Sequence, residues 1–412
     1  MNFNTKAIHS GAEADPKTGA SSLPIFHTAA YSYPDPQSLE DVFAGRKFGH
    51  VYSRISNPTV SAFEQKMAAV ENGLGSLAFA TGMAAIQATV LTLVQSGDEI
   101  LSSSSLFGGT YYLFEDFRRL GITPHYIDPT DTARFEAAVT DKTRLIFVEC
   151  IGNPKVDVPN FEAFAKIAQK AGVPLVVDAT LATPYLFCAK EFGVTLVLHS
   201  ATKYIGLGGT TLGGVVTDLG NFDWKSCKSE AVSTMAGKAG SYAFLAKARK
   251  MMLTNSGADL SPFNAYLLHL GLETLSLRME RHCDNALSLA TFLSAHSAVE
   301  SVQYPGLPSN PFHTVAKAQF SDRFGALLTL RLGSKDRCFQ FIRGLKIAKN
   351  QANLGDSKTL VIHPESTIYR DCTVAQQEAA GVYPDLIRVS VGLEDIDDLT
   401  EDFKNALLSS PT

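Results

Sequence analysis

Short apolar runs alternate with amphipathic stretches between about residue 61 and residue 250. Runs at 76–80, 99–102, 144–149, 175–178, 196–199 and 213–217 predict strands. Helical spacing predicts helices between them, for example over 82–94, 110–120 and 161–171. Strand–helix alternation implies an α/β fold with a mostly parallel sheet and helices on both faces. On such a sheet, ligands sit at the carboxyl ends of the strands.

The flanks read differently. Residues 1–60 carry prolines at 16, 24, 34, 36 and 58 among scattered aromatics, with little period of 2.0 or 3.6. Such a segment predicts an ordered arm draped over another surface. From about 256 a long helical stretch (262–294) precedes strands at 325–332, 359–363 and 386–391, then an acidic helix after Asp395. The expected organisation is an arm (1–60), a large domain (61–255) and a smaller α+β domain (256–412). The closing Ser-Ser-Pro-Thr reads as a frayed tail.

Composition narrows the function. At 412 residues and 45% hydrophobic, the chain buries a large core without disulfide or metal staples. Its net charge of −5 argues against a nucleic-acid binder. The six cysteines form no C-x-x-C pair and read as buried thiols. No signal peptide is expected, because residues 1–6 contain no apolar stretch. The uncharged run 72–97 is long enough for a membrane span, yet its glycines and polar residues suit a strand, a turn and a helix. No membrane association is expected, and the cytoplasm is the expected compartment.

Common catalytic signatures are absent: there is no G-x-S-x-G, H-E-x-x-H or Walker A motif. Gly73, Gly75 and Ala78 form a G-x-G-x-x-A that precedes its strand, the wrong order for dinucleotide binding. The histidines lack metal-ligand spacing, so no metal is expected. His282 beside Cys283 reads as a surface residue next to a core residue.

Three features stand out. Thr81-Gly82-Met83 joins a strand end to a helix start, where backbone N–H groups suit an anion. Asp178 follows an apolar strand directly. Lys203 lies just beyond another strand, behind Ser200 and Thr202, where desolvation would make its amine nucleophilic. A lysine for a Schiff base, a phosphate-binding helix start and an aspartate for a pyridinium nitrogen are the parts that pyridoxal 5′-phosphate (PLP) requires.

These residues fall within longer motifs. They are Tyr52-Ser53-Arg54, Thr81-Gly82-Met83-Ala84-Ala85, Leu106-Phe107-Gly108-Gly109, Gly152-Asn153-Pro154, Val177-Asp178-Ala179-Thr180, Ser200-Ala201-Thr202-Lys203-Tyr204, His363-Pro364-Glu365-Ser366-Thr367 and Ile387-Arg388-Val389-Ser390. In that order, over nearly the whole length, they resemble the Cys/Met-metabolism (trans-sulfuration) family of PLP-dependent enzymes. The resemblance implies fold type I, with a seven-stranded sheet. It implies that Lys203 holds PLP as an internal aldimine and shuttles protons, and that Asp178 pairs with the pyridinium nitrogen. Gly82, Met83, Ser200 and Thr202 would bind the phosphate, and Asn153 would lie near the ring hydroxyl. Phe107 would stack on the ring, and Arg388 would take the substrate carboxylate, with Asn353 and Tyr52 near the substrate. Tyr52 and Arg54 would reach the phosphate of a neighbouring subunit, in a homotetramer built as a dimer of dimers.

Stretches such as Ile151-Gly152-Asn153-Pro154-Lys155 and Ala352-Asn353-Leu354-Gly355-Asp356 resemble the O-acetylhomoserine sulfhydrylase branch. The implied reaction is γ-replacement on O-acetyl-L-homoserine with sulfide or a thiol, giving L-homocysteine or methionine and acetate. The alternatives are methionine γ-lyase, cystathionine γ-synthase or γ-lyase activity, or replacement by another nucleophile. Gly109 and Asn353 differ from the cysteine and serine usual in methionine γ-lyases. Three departures from the family pattern remain. Phe107 stands where a tyrosine is usual, Leu207-Gly208 where Gly-His is usual, and Tyr369-Arg370 follow Ile368 where a histidine is common.

Overall fold

The computed structural model describes residues 1–408; the Ser-Ser-Pro-Thr tail lies outside the described residues. Seven strands make the first sheet: β1 Gly75–Phe79, β2 Glu99–Ser103, β3 Thr123–Ile127, β4 Thr143–Glu149, β5 Leu175–Asp178, β6 Leu196–His199 and β7 Gly214–Asp218. Their order is β1-β7-β6-β5-β4-β2-β3. β7 runs antiparallel to β1 and β6, and the remaining pairings are parallel.

Alternate side chains explain why the strands read as unbroken apolar runs. Ile146, Val148, Val177 and Val197 join one core, while Leu145, Phe147, Val176 and Leu196 join another on the opposite face. Helices cover both faces. In Phe161–Ala171, Asn160 caps the start by accepting from Ala163 N (3.2 Å), and Gly172 ends it at φ +65°. Its buried stripe is Phe161, Phe164, Ile167 and Ala168.

A second sheet holds β8 Ser301–Gln303, β9 Leu327–Arg331, β10 Lys349–Asn350, β11 Leu360–Ile362 and β12 Leu386–Ser390, in the order β10-β11-β12-β9-β8. It is antiparallel except for β10–β11. Its core is continuous with that of the first sheet, through residues such as Met279, Leu330, Phe341 and Phe403. No helix among the described residues is long and apolar enough to cross a membrane.

Several expectations need correction. β3 does not emerge from the apolar pattern because Pro124 and His125 interrupt it; an edge strand tolerates a proline. The helix expected over 110–120 is Gly108–Phe117, followed by a 3₁₀ turn at Arg118–Leu120. The long helix expected over 262–294 is two helices, Pro262–Glu273 and Leu275–Ser294, broken at Thr274. Arg278 Nη2 donates to Gly271 O at 2.6 Å, a carbonyl that a continuous helix would give to residue 275.

The first 60 residues contain helices at Phe3–His9 and Pro36–Phe43, and Pro58 opens the helix Pro58–Val70. Proline at a first helical position starts a helix instead of breaking it. Asn57 caps that helix and also donates to Phe26 O, Tyr31 Oη and Ser53 Oγ, which pins the segment locally. His282 is not a surface residue. It is buried, bonded to Val391 O at 2.8 Å and set edge-on against Tyr204. All six cysteines are free, with Cys188 and Cys372 only half-buried.

Candidate active site

The parallel strands β4, β5 and β6 end side by side at Glu149, Asp178 and His199. Next to them the helix Gly82–Leu93 begins. Thr81 caps it by accepting from Ala84 N at 3.0 Å. A Cβ at Gly82 would lie 2.7 Å from Ser200 Cβ, so only glycine lets the helix start meet the Ser200 loop this closely. The first N–H groups of a helix have no acceptor within it and favour negative charge.

Asp178 Oδ1 accepts from Thr180 N (3.0 Å) and Thr180 Oγ1 (2.5 Å). Thr180 Oγ1 in turn accepts from Ser200 N at 2.8 Å, which ties the end of β5 to the loop after β6. Burial pushes the Asp178 carboxyl up, opposed by the Thr180 bonds and by nearby His199. His199 is itself buried against Glu71. Asp178 takes part in no ion pair among the described residues, so a cation supplied by a ligand would be strongly favoured beside it.

Lys203 Nζ donates to Asn353 Oδ1 at 2.6 Å. Burial, helped by Arg388, lowers its pKa to about 8. Arg388 lies on β12 and is almost wholly buried. It donates to Asn153 Oδ1 (3.0 Å) and Asn353 O (2.9 Å), while its Nε is buried without a partner.

These groups converge on one cavity of about 300 Å³. Gly82, Met83, Phe107, Asn153, Asp178, Ser200, Thr202, Lys203, Asn353 and Arg388 all line it. Tyr52 and Arg54 do not. Tyr52 is 42% exposed, with the Arg54 guanidinium 5.3 Å from its ring centroid. Sequence reading missed Glu149, which lines the cavity and stands opposite Asp178 in the β4–β5 register. An acidic residue ending a predicted parallel strand beside Asp178 was the available signal. It also gave no role to Thr180. No cluster of three or more His, Cys, Asp or Glu able to hold a metal occurs among the described residues.

The donor set fits PLP. An amine with a depressed pKa, a buried carboxylate, hydroxyls beside a helix start and a guanidinium share one cavity.

Known proteins resemble the chain over nearly its full extent. It is 40% identical to the O-acetyl-L-homoserine sulfhydrylase of Leptospira meyeri, over 98% of this chain and 96% of that one. It is 41% identical to the homocysteine synthase of Schizosaccharomyces pombe, over 98% of each. A crystal structure from Campylobacter jejuni, described as an O-acetylhomoserine (thiol)-lyase and carrying a pyridoxyl-lysine monophosphate, superposes with a TM-score of 0.93 at 32% identity. It covers 99% of this chain and 100% of that one. Residues 4–408 match the family model for Cys/Met metabolism PLP-dependent enzymes, and the chain belongs to that family.

Proposed function

We propose that the protein catalyses γ-replacement on O-acetyl-L-homoserine with sulfide or a thiol, giving L-homocysteine (or methionine) and acetate. The observation that carries this reading is the convergence of Lys203, Asp178 and Arg388 on one cavity in a chain whose full-length relatives include an O-acetyl-L-homoserine sulfhydrylase and a homocysteine synthase. The cytoplasm remains the compartment expected for it.

PLP, when bound, supplies an electron sink for charge developing on the substrate. Lys203 would hold the cofactor covalently until substrate displaces it, and its freed Nζ would then move the protons of Cα and Cβ; the depressed pKa suits a base near neutral pH. Asp178 would pair with the pyridinium nitrogen and hold it protonated, with Thr180 orienting the carboxylate. Gly82, Met83, Ser200 and Thr202 would bind the phosphate, and Asn153 would lie near the ring hydroxyl. Arg388 binds the substrate α-carboxylate with its planar fork, and Asn353 adjoins both Arg388 and Lys203. Tyr52 and Arg54 serve the cavity of a neighbouring subunit, in a tetramer built as a dimer of dimers. Tyr52 is exposed, and both residues lie outside the cavity of their own chain, which supports this.

Product analysis by NMR tests the reaction. With O-acetyl-L-homoserine, homocysteine is expected only when sulfide is present, and L-methionine should remain unchanged. Release of 2-oxobutanoate without sulfide, above all from methionine, would move the protein to the lyases.

Phe107 supplies a ring without a hydroxyl. Stacking is kept, at ~0.5–1.5 kcal/mol, but acid assistance to the leaving group must come from Lys203, Tyr52 or water. Phe107→Tyr is expected to raise 2-oxobutanoate release relative to replacement. An unchanged partition ratio would show that the missing hydroxyl does not restrain elimination.

A further inference from the structure

The peptide joining Leu106 to Phe107 is held at both ends by buried side chains to which neither the sequence motifs nor the proposed chemistry gives a role. Glu149 Oε1 accepts the Phe107 N–H at 2.7 Å. Tyr369 Oη donates to Leu106 O at 3.0 Å, sharing its proton with Asn153 O at 2.8 Å. Glu149 is 7% exposed and Tyr369 3%. The two come from different parts of the fold: Glu149 ends β4, and Tyr369 packs with Ala380 and Val382 in a small separate cluster.

The Phe107 side chain, 38% exposed, lies over Gly109. A Cβ on Gly109 would lie 2.6 Å from Phe107 Cε1, so the ring occupies space that any other residue at 109 would need. Ile368, the neighbour of Tyr369, lines the same cavity.

We propose that Glu149 and Tyr369 are positioning residues that clamp the Leu106–Phe107 peptide from opposite sides and thereby set the Phe107 ring against the cofactor. The inference rests on the reading that Phe107 stacks on PLP. The clamp needs only an acceptor oxygen from Glu149, not a charge. Burial, with Asp178 alongside, favours the neutral carboxyl. Glutamine should therefore replace Glu149, while leucine should not. Phenylalanine at 369 keeps the packing and removes the donor.

Visible circular dichroism of the holoenzyme reports the asymmetric setting of the bound cofactor, whichever substrate the enzyme takes. Glu149→Leu and Tyr369→Phe should weaken this band, and Glu149→Gln should restore it. Tyr369→Phe should also lower kcat/KM by roughly 5–10-fold, the size of about one lost hydrogen bond. If it acts through the ring, it should add nothing in a Phe107→Ala background. Additive losses in that background, or a Glu149→Gln band as weak as that of Glu149→Leu, would overturn the clamp. So would an unchanged band in Tyr369→Phe when Phe107→Ala shifts it. A band insensitive to Phe107→Ala would instead sink the stacking reading, and the clamp with it. Should Glu149→Leu fail to fold, the Tyr369–Phe107 cycle decides alone.

Discussion

Lys203→Ala is expected to abolish turnover and to remove the visible absorbance near ~420 nm that a lysine-bound PLP gives. On the roles proposed for Lys203, two functions are lost together. The covalent anchor disappears, and so does the base whose positioned proton transfers are worth ~10²–10⁴-fold each. The surroundings explain why no neighbour substitutes. Lys203 is the lysine that lines the cavity, and burial together with Arg388 holds its amine near a pKa of about 8. Lys66, although buried, is engaged with Glu273 and lies outside the cavity. Spectra of the purified variant, followed by borohydride reduction and peptide mapping, check the expectation. A retained band with a label on another lysine would refute the assignment.

Arg388→Lys is expected to cost nearly as much for the natural substrate. A lysine supplies one point charge where the guanidinium offers a planar fork. Two charge-assisted bonds to a carboxylate, at about 1.5–3 kcal/mol each, correspond to roughly 10²–10⁴-fold in kcat/KM. Part of the loss is internal, because Asn153 Oδ1 and Asn353 O would lose their donor. A substrate carrying an α-carboxamide separates the two contributions. It should already be poor with the unaltered enzyme, and Arg388→Lys should cost it far less. An Arg388→Lys variant with normal KM for O-acetyl-L-homoserine would show that the carboxylate binds elsewhere.

Much of this arrangement was legible in the sequence, for a physical reason. β4, β5 and β6 are buried on both faces, so they read as apolar runs, and the residue ending each run marks the functional edge. Asp178 and Lys203 could be found in this way. β3 could not, because an edge strand with one covered side tolerates Pro124 and His125. Nor could the break at Thr274, since the competing donor, Arg278, reaches the carbonyl of Gly271 from the next helix. The Pro36 and Pro58 helices were hidden because proline opens helices as well as ending them. Within the site, Glu149 and Tyr369 act on a backbone peptide far away in sequence, and local pattern carries no trace of such a contact.

Arg388 and Asn353 reach the cavity from the second sheet and its adjoining loop, while Lys203, Asp178, Ser200 and Gly82 reach it from the first. On the proposed roles, the wall that keeps the cofactor and the wall that reads the amino acid are therefore inherited from separate pieces of backbone. Substitutions along 352–388 that spare Asn353, Tyr369 and Arg388, each bonded to the other wall, can retune which side chain is accepted without touching the groups that hold PLP. Substrate choice is thus free to drift among descendants of such a protein while cofactor chemistry stays fixed.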